Sequence, residues 1–499
     1  MRRVPLALAA GLLVALSVPP WGFWPLAFPG IALLAVAIDQ QPARRRALLG
    51  VAFAISHFGP TQFWVTEFHA VGFVLLLLVE GAYFAAALAA VPADRSRVAA
   101  LVALPAAYLL AEWLRGIGPF GGLPMGGLPL GQVTGPLAPA ARIGGGSLVT
   151  ALAVAVGCAL AAAWWRQWRT AAPLALVAVG LAIAGLVAPS GTPRERIDVT
   201  VVQGGGPRGF RAVESDPGDV LLAHLEASEG IRRPVDLVLW PENTIDVPKL
   251  DGTVEADALA AVAVGSDATV VAGVTEDAGP DGQNFQNVAV AWDPEGRIID
   301  RYVKVHRVPF GEYVPLRGLL DPLVDLSVLP RDAIAGDGTG ILRTPAGDFG
   351  VAISYEVFFG DRGRASVAAG GQLLLVPTNA ASFTTSQVPT QEIAAAQLRA
   401  WETGRWVVMS APTGYGAFVD HEGRVRGRTT LGRAELLRGR PQLRDGRTLY
   451  VRAGDLPFVA LAVVVLLISR GRAGWSRRSR RGDGRSASAS APASNDPPR

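Results

Sequence analysis

Apolar residues are bunched along this chain. Seven runs fall early, at Val4–Val18, Pro25–Ile38, Ala47–Phe58, Ala70–Val91, Val98–Leu114, Ser147–Trp165 and Ala171–Ala188, and an eighth stands near the C-terminus at Leu456–Ser469. A bilayer core of about 30 Å is crossed by about 20 helical residues. The runs therefore predict membrane helices, the shorter ones with soft ends. The first follows Met1-Arg2-Arg3, as a signal peptide would, but Pro19-Pro20-Trp21-Gly22 behind it offers no small-residue cleavage site. It reads as a retained span.

Between the seventh and eighth runs the pattern changes to short apolar stretches alternating with amphipathic ones. Strands are predicted at Asp198–Gln203, Val235–Trp240, Thr269–Val274, Asn287–Trp292, Ile298–Val305, Gly350–Ile353, Leu373–Pro377, Trp406–Ala411 and Gly416–Val419. Helices are predicted at Gly218–Arg232, Val254–Val264 and Gln391–Gly404. Tight turns such as Asp293-Pro294-Glu295-Gly296 join some strands and helices join others, which predicts mixed sheets, two of them face to face, covered by helices. The expected division is a seven-helix transmembrane domain over 1–190, a soluble domain over 191–454 and a last span over 455–470. The remainder, 471–499, is rich in Arg, Ser, Gly, Ala and Pro and reads as a disordered basic tail.

Charge then orients the chain. Among 499 residues, half of them apolar, the formal net charge is +4 and the pI is 9.5. With the N-terminus inside, the inner connections hold Arg44-Arg45-Arg46, Arg95, Arg97, Arg166 and Arg169, and the tail holds Arg470, Arg472, Arg477, Arg478, Arg480 and Arg481. The outer connections hold only Arg115 and Arg142. That bias puts both termini in the cytoplasm and Gly191–Asp455 on the far side of the membrane. The basic balance is a topology signal and not a nucleic-acid footprint. Cys158 is the single cysteine, so no disulfide forms within the chain, and the five histidines are scattered without metal-ligand spacing. Two Gly-x-Gly-x-x-Gly matches, at Gly116 and Gly204, lack the strand-before, helix-after setting of a dinucleotide site. The Gly/Pro-rich loop Gly116–Gly131 reads either as an access path at the membrane surface or as a flexible connection.

Three predicted strands stop at residues that carry chemistry. Val235–Trp240 stops at Pro241-Glu242-Asn243, Ile298–Val303 at Lys304, and Gly350–Ile353 at Ser354-Tyr355-Glu356. An acid, an ammonium and a hydroxyl at three strand ends can converge on one pocket and perform acyl transfer. The acid takes the nucleophile's proton and the lysine stabilises the oxyanion. Beyond Lys304, Leu316, Leu319, Leu320 and Leu323 recur at helical spacing after Pro315. They predict an amphipathic arm that caps the pocket and dips into the bilayer surface.

The stretches WPEN, RYVKVHRVPFGEYVP, SYEVFFGD and LLLVPTNAASF resemble the motif set of the nitrilase (carbon–nitrogen hydrolase) superfamily. With seven spans before them and one behind, and with EWLRG and LRAWETGRWVVMSAPTGYGAFVD alongside, the chain resembles the apolipoprotein N-acyltransferases. The resemblance implies a multi-pass helical membrane domain plus a nitrilase-like α-β-β-α sandwich of two mixed sheets. It implies Glu242 as general base, Lys304 as the triad lysine, and supporting roles for Glu312, Tyr355 and Glu356. Trp240, Asn379, Leu319 and Leu320 are the candidates for substrate contact. It further implies an acyl chain passing from a membrane phospholipid, through an acyl-enzyme, to the α-amine of a diacylglyceryl-cysteine at a bacterial lipoprotein N-terminus. No cofactor is implied. The family nucleophile is cysteine and this chain has Ser354, which leaves three readings: a substitution that traps substrate, an enzyme working through serine, or a silent paralogue that binds lipid or lipoprotein. A membrane-tethered amide or nitrile hydrolase is the alternative enzyme on this fold.

Overall fold

The computed structural model describes residues 3–93, 95–209, 216–279, 282–322 and 329–486. All eight apolar runs are helical: Arg3–Ser17, Ala27–Ile38, Ala43–Thr61, Ala70–Ala90, Val98–Arg115, Ala141–Trp164, Trp168–Val187 and Leu456–Ser486. Ala70–Ala90, Val98–Arg115, Ala138–Trp164 and Trp168–Val187 are long and apolar enough to cross a bilayer, and the first two helices are shorter. Small residues let the helices close up, since a Cβ on Gly11 would lie 2.3 Å from Phe53 O. The Leu456–Ser486 helix packs on Val98–Arg115. It continues to Ser486, so the tail expected to be irregular from Gly471 is helical through its first part. Once a long helix is nucleated, each further residue adds a hydrogen bond at little cost, and Arg and Ala propagate it well. Residues 487–499 lie outside the description.

The nine predicted strands are all present, most of them slightly shorter or longer than expected. One sheet runs, edge to edge, Glu435–Gly439, Val199–Gln203, Leu237–Leu239, Thr269–Ala278, Asn284–Trp292 and Ile298–Val303, with Ile245–Val247 and Asp332–Ala333 attached to it. The other runs Val425–Arg428, Ala417–Val419, Val407–Ser410, Leu373–Pro377, Gly347–Val351 and Ile341–Thr344. Both are mixed, with parallel strands at the centre and antiparallel ones outside. Several of the strands that went unpredicted are edge strands rich in charge, such as Thr192–Arg196, exposed along its length, while Ile245–Val247 is too short to show an alternation. Such edges carry no apolar alternation to read, which also keeps them from pairing with other chains.

The period of two sorts the core. Val199, Val201, Leu237 and Leu239 of the first sheet meet Phe349, Val351, Leu373 and Leu375 of the second. Val202, Val238 and Val270 face the opposite way, toward helices Pro217–Ser228 and Val254–Ser266. The outer face of the second sheet, Leu374, Val376, Val407 and Met409, packs on helices Gly360–Ala368 and Gln387–Thr403 and belongs to one apolar core with the membrane helices. The sandwich therefore sits on the membrane bundle through a shared apolar core, with hydrogen bonds such as Gly146 N–H to Glu402 and Gln387 to Pro60 O set around it. Its strand ends open at the carboxyl edge of the parallel strands, where α/β folds place their sites.

Candidate active site

Glu242 comes three residues after the short strand Leu237–Leu239, in a turn where Asn243 is held at φ 53°. Gly273 makes that turn possible, because a Cβ there would stand 2.4 Å from the Glu242 Cα. Lys304 follows Ile298–Val303 and is 2 % exposed. Its Nζ donates to Glu242 Oε1 at 2.8 Å and to Glu312 Oε1 at 2.7 Å. Asn287, buried in the neighbouring strand, donates to the same two carboxylates at 2.6 and 3.3 Å. Glu312 is fixed from behind by the Val308 N–H at 2.8 Å.

One buried carboxylate, Glu242, and one half-buried carboxylate, Glu312, on one ammonium set the electrostatics. Burial raises the Glu242 carboxyl, and the like charge of Glu312 adds to the rise while Lys304 opposes it. Burial alone would lower Lys304, but Glu242 and then Glu312 reverse this and hold the ammonium above its usual range. The lysine stays charged, and the Glu242 carboxylate is a stronger proton acceptor than an exposed one.

Ser354 opens a tight turn, Ser354–Phe358, directly after Gly347–Val351 and the two residues beyond it. Its φ is 50°, in the left-handed region, a strain of order 1–3 kcal/mol that other contacts must hold in place. Thr378, at the end of Leu373–Pro377, ties the two halves together. Its carbonyl accepts the Glu242 N–H at 3.4 Å, and its hydroxyl lies 3.2 Å from Ser354 Oγ and 2.5 Å from Glu392 Oε1. The acid, the lysine and the hydroxyl are thus gathered at one edge of the facing sheets.

The supporting residues take different places. Glu356 is wholly buried and does not face the pocket. It accepts from the Ile353, Val305 and His306 N–H groups and from the Tyr302 hydroxyl, binding the Ser354 turn to the Lys304 strand. Tyr355 donates to Gly122 O at 2.7 Å, so the residue beside the nucleophile position is anchored on a membrane-domain loop. That loop is no slack connection. Arg115 and Gln62 hold Met125 O, Gln391 accepts the Gly126 N–H, and Tyr313 donates to Phe120 O.

Trp240 corrects the sequence reading. It is 0 % exposed and points with Val238 into the helix-side core against His224, because the strand's alternation turns it away from the sheet interface. Asn379 is half-buried and caps its own turn, accepting the Ala381 N–H at 3.0 Å. Among the described residues of the arm after Glu312 there is one short helix, Arg317–Leu320, which ends ahead of Pro322, a residue that kinks a helix or ends it early. Leu316 and Leu319 are well exposed there, while Leu323 and the Leu320 side chain lie outside the described residues. Asn287, Thr378 and Glu392 were missed. Asn287 lies inside a buried apolar strand and Thr378 just after one, which is the signal that could have found them, whereas Glu392 lies in a helix of mixed polarity that gives no such sign. Among the described residues no cluster of His, Cys, Asp or Glu could hold a metal ion.

Comparison with known proteins gives matches along most of the chain. Residues 10–159 match the apolipoprotein N-acyltransferase N-terminal domain and residues 198–440 the carbon-nitrogen hydrolase family. An apolipoprotein N-acyltransferase of Photobacterium profundum is 28% identical over 96% of this chain and 97% of its own length. That of Pseudomonas paraeruginosa is 30% identical over 93% and 94%. That of Mycolicibacterium smegmatis is 30% identical over 93% and 84%. A solved nitrilase-superfamily protein of Saccharomyces cerevisiae covers 50% of this chain and 91% of its own at 19% identity and a TM-score of 0.39. With relatives at 30% identity matched along most of their length and a family model on each half, the chain belongs to the apolipoprotein N-acyltransferase family.

Proposed function

We propose that this chain moves a fatty acyl group from a membrane phospholipid to the N-terminal α-amine of a diacylglyceryl-cysteine lipoprotein, through an ester on Ser354. The observation that carries the reading is the buried Lys304 gripping Glu242 and Glu312 on one sheet, while the facing sheet presents Ser354 on a left-handed turn. Glu242 takes the Ser354 proton as Oγ attacks the donor ester carbonyl. Lys304 faces the oxyanion and stabilises it. Collapse expels the lysophospholipid alkoxide, which takes the proton back from Glu242. The acceptor amine then attacks the Ser354 ester, loses its proton to Glu242, and leaves as an amide while Ser354 recovers its hydrogen.

Serine costs rate, because a thiolate forms far more readily than an alkoxide at neutral pH. It does not cost driving force. The first step exchanges one oxoester for another, and the second converts an ester into a more stable amide.

The Arg asymmetry supports a cytoplasmic-membrane protein with both termini inside and the sandwich outside, where both lipid substrates lie. The domain limits 1–190, 191–454 and 455–470 follow from that topology, with the last span prolonged as a helix to Ser486. The test is intact-protein mass spectrometry after incubation with phospholipid. A fatty acyl mass is expected on the native chain and absent from Ser354→Ala. Transfer to a diacylglyceryl-cysteine peptide should be lost in Glu242→Gln. An acyl mass that persists in Ser354→Ala would refute the assignment.

A further inference from the structure

The Gln387–Thr403 helix lies between the membrane bundle and the second sheet, and two successive residues near its start face different partners. Gln391 bonds the membrane side, accepting the Gly126 N–H and donating to Thr61 O at 2.8 Å. Glu392, 3 % exposed, turns instead to the site, with Thr378 Oγ1 at 2.5 Å and Ser354 Oγ one contact beyond. The acyl-transfer steps above make no use of this carboxyl.

Thr378 has one hydroxyl hydrogen to share between two neighbours. With Glu392 ionised, that hydrogen goes to the carboxylate in a charge-assisted bond. Thr378 Oγ1 can then only accept from Ser354, whose own hydrogen is drawn away from Glu242. With Glu392 protonated, the carboxyl donates to Thr378 and Thr378 donates to Ser354 Oγ. The Ser354 hydrogen is then free for Glu242, and the donated bond stabilises negative charge growing on Oγ. We propose that Glu392 is a positioning residue that sets, through Thr378, the direction of the Ser354 hydroxyl, and that its protonated form is the active one. The inference rests on Ser354 as nucleophile and Glu242 as base.

The surrounding charges agree with this. Burial, joined by the like charge of Glu242, pushes the Glu392 carboxyl up to about 7 against the opposing Thr378 bond and Lys304. A site that holds Glu242 and Glu312 on one lysine resists a further buried negative charge. Other charges on the packed elements are engaged elsewhere. Glu356 takes Tyr302 and backbone N–H groups, Asp361 meets His306, Arg399 pairs with Glu402, and Arg142 bonds Gly185 O.

The experiment is covalent labelling of Ser354 by an alkyl fluorophosphonate in the full-length protein in phospholipid–detergent micelles, followed by intact mass across pH. Labelling of the native chain should rise as Glu242 ionises, then fall about tenfold per pH unit above neutrality as Glu392 ionises. Glu392→Gln, whose amide donates to Thr378 at any pH, should lose the alkaline fall. Thr378→Val, with no hydroxyl to donate, should label slowly with no alkaline fall. A Glu392→Gln profile that superimposes on the native one overturns the inference. So does labelling that rises through neutrality and vanishes in Glu392→Gln, which would make Glu392 the base. If Glu392→Gln does not fold, Thr378→Val decides: a native alkaline fall in that variant overturns the inference. A native chain unlabelled at Ser354 would instead remove the nucleophile assignment beneath it.

Discussion

Replacing Glu356 with Gln changes one atom in a carboxylate that joins two strand ends. Oε1 accepts the Val305 N–H at 2.8 Å, the His306 N–H at 3.1 Å and the Tyr302 hydroxyl at 2.9 Å, while Oε2 accepts the Ile353 N–H at 2.8 Å. A carboxamide can keep its oxygen on the first side, but its NH2 then confronts the Ile353 N–H donor to donor. The loss is one charge-assisted hydrogen bond, about 1.5–3 kcal/mol, plus a buried donor left unpaired, about 1–3 kcal/mol. A sum of about 2.5–6 kcal/mol corresponds to a fall of about 5–24 °C in the unfolding midpoint of a domain this size. Ile353 precedes Ser354 and Val305 follows Lys304, so the break also loosens the nucleophile relative to the lysine. A displacement of about 1 Å at that point costs about a hundredfold in rate. Glu356→Ala, which orphans every donor, should be worse on both counts. The assays are thermal unfolding of the purified protein in detergent and acyl transfer to a lipopeptide. A Glu356→Gln variant that keeps both the native midpoint and the native rate would show that the carboxylate does not brace the site.

Ser354→Cys should raise acyl transfer, each power of ten representing about 1.4 kcal/mol of barrier, and its acyl adduct should be released by neutral hydroxylamine. Lys304→Met leaves the buried Glu242 without a cation. Transfer should be lost and about 3–5 kcal/mol of stability with it at neutral pH. Burial raises the folded Glu242 pKa and the missing lysine no longer opposes it, so the cost is present above that pKa and is relieved as pH falls through it. The variant's unfolding midpoint, measured against pH, should approach the native one on acidification. Changing Leu319 and Leu320 to Ser should reduce use of phospholipid in vesicles while the unfolding midpoint holds, and a collapse of the midpoint would mark the arm as core. Protease added to spheroplasts should cut within Gly191–Asp455. Protection there, with cutting in the tail, would invert the topology.

The sequence by itself determined the fold class, a set of apolar helices joined to an α/β region with mixed sheets. Membrane helices are legible because some 20 residues in a row must all be apolar, so no distant partner is needed to recognise them. Most of the nine predicted strands are legible for a similar reason, being buried on one face or both, and Ile298–Val303 at a sheet edge is legible from its β-branched and aromatic residues. Glu242, Lys304 and Ser354 could be singled out because each breaks an apolar strand at its end.

What the sequence left open is whatever depends on which face meets which. Trp240 and Glu242 stand two residues apart, and only the packing of helices on the first sheet sends one to the core and leaves the other on Lys304. Glu356 sits two residues from Ser354 in sequence, yet its bonds run to strand-end residues some 50 positions away. The exposed edge strands have no apolar pattern, because no neighbouring layer demands one. Glu392 carries no local sign of its role at all. Its helix had to be laid between the membrane bundle and the second sheet before the carboxyl came within reach of Thr378, since long-range packing alone decides which buried polar groups share a proton.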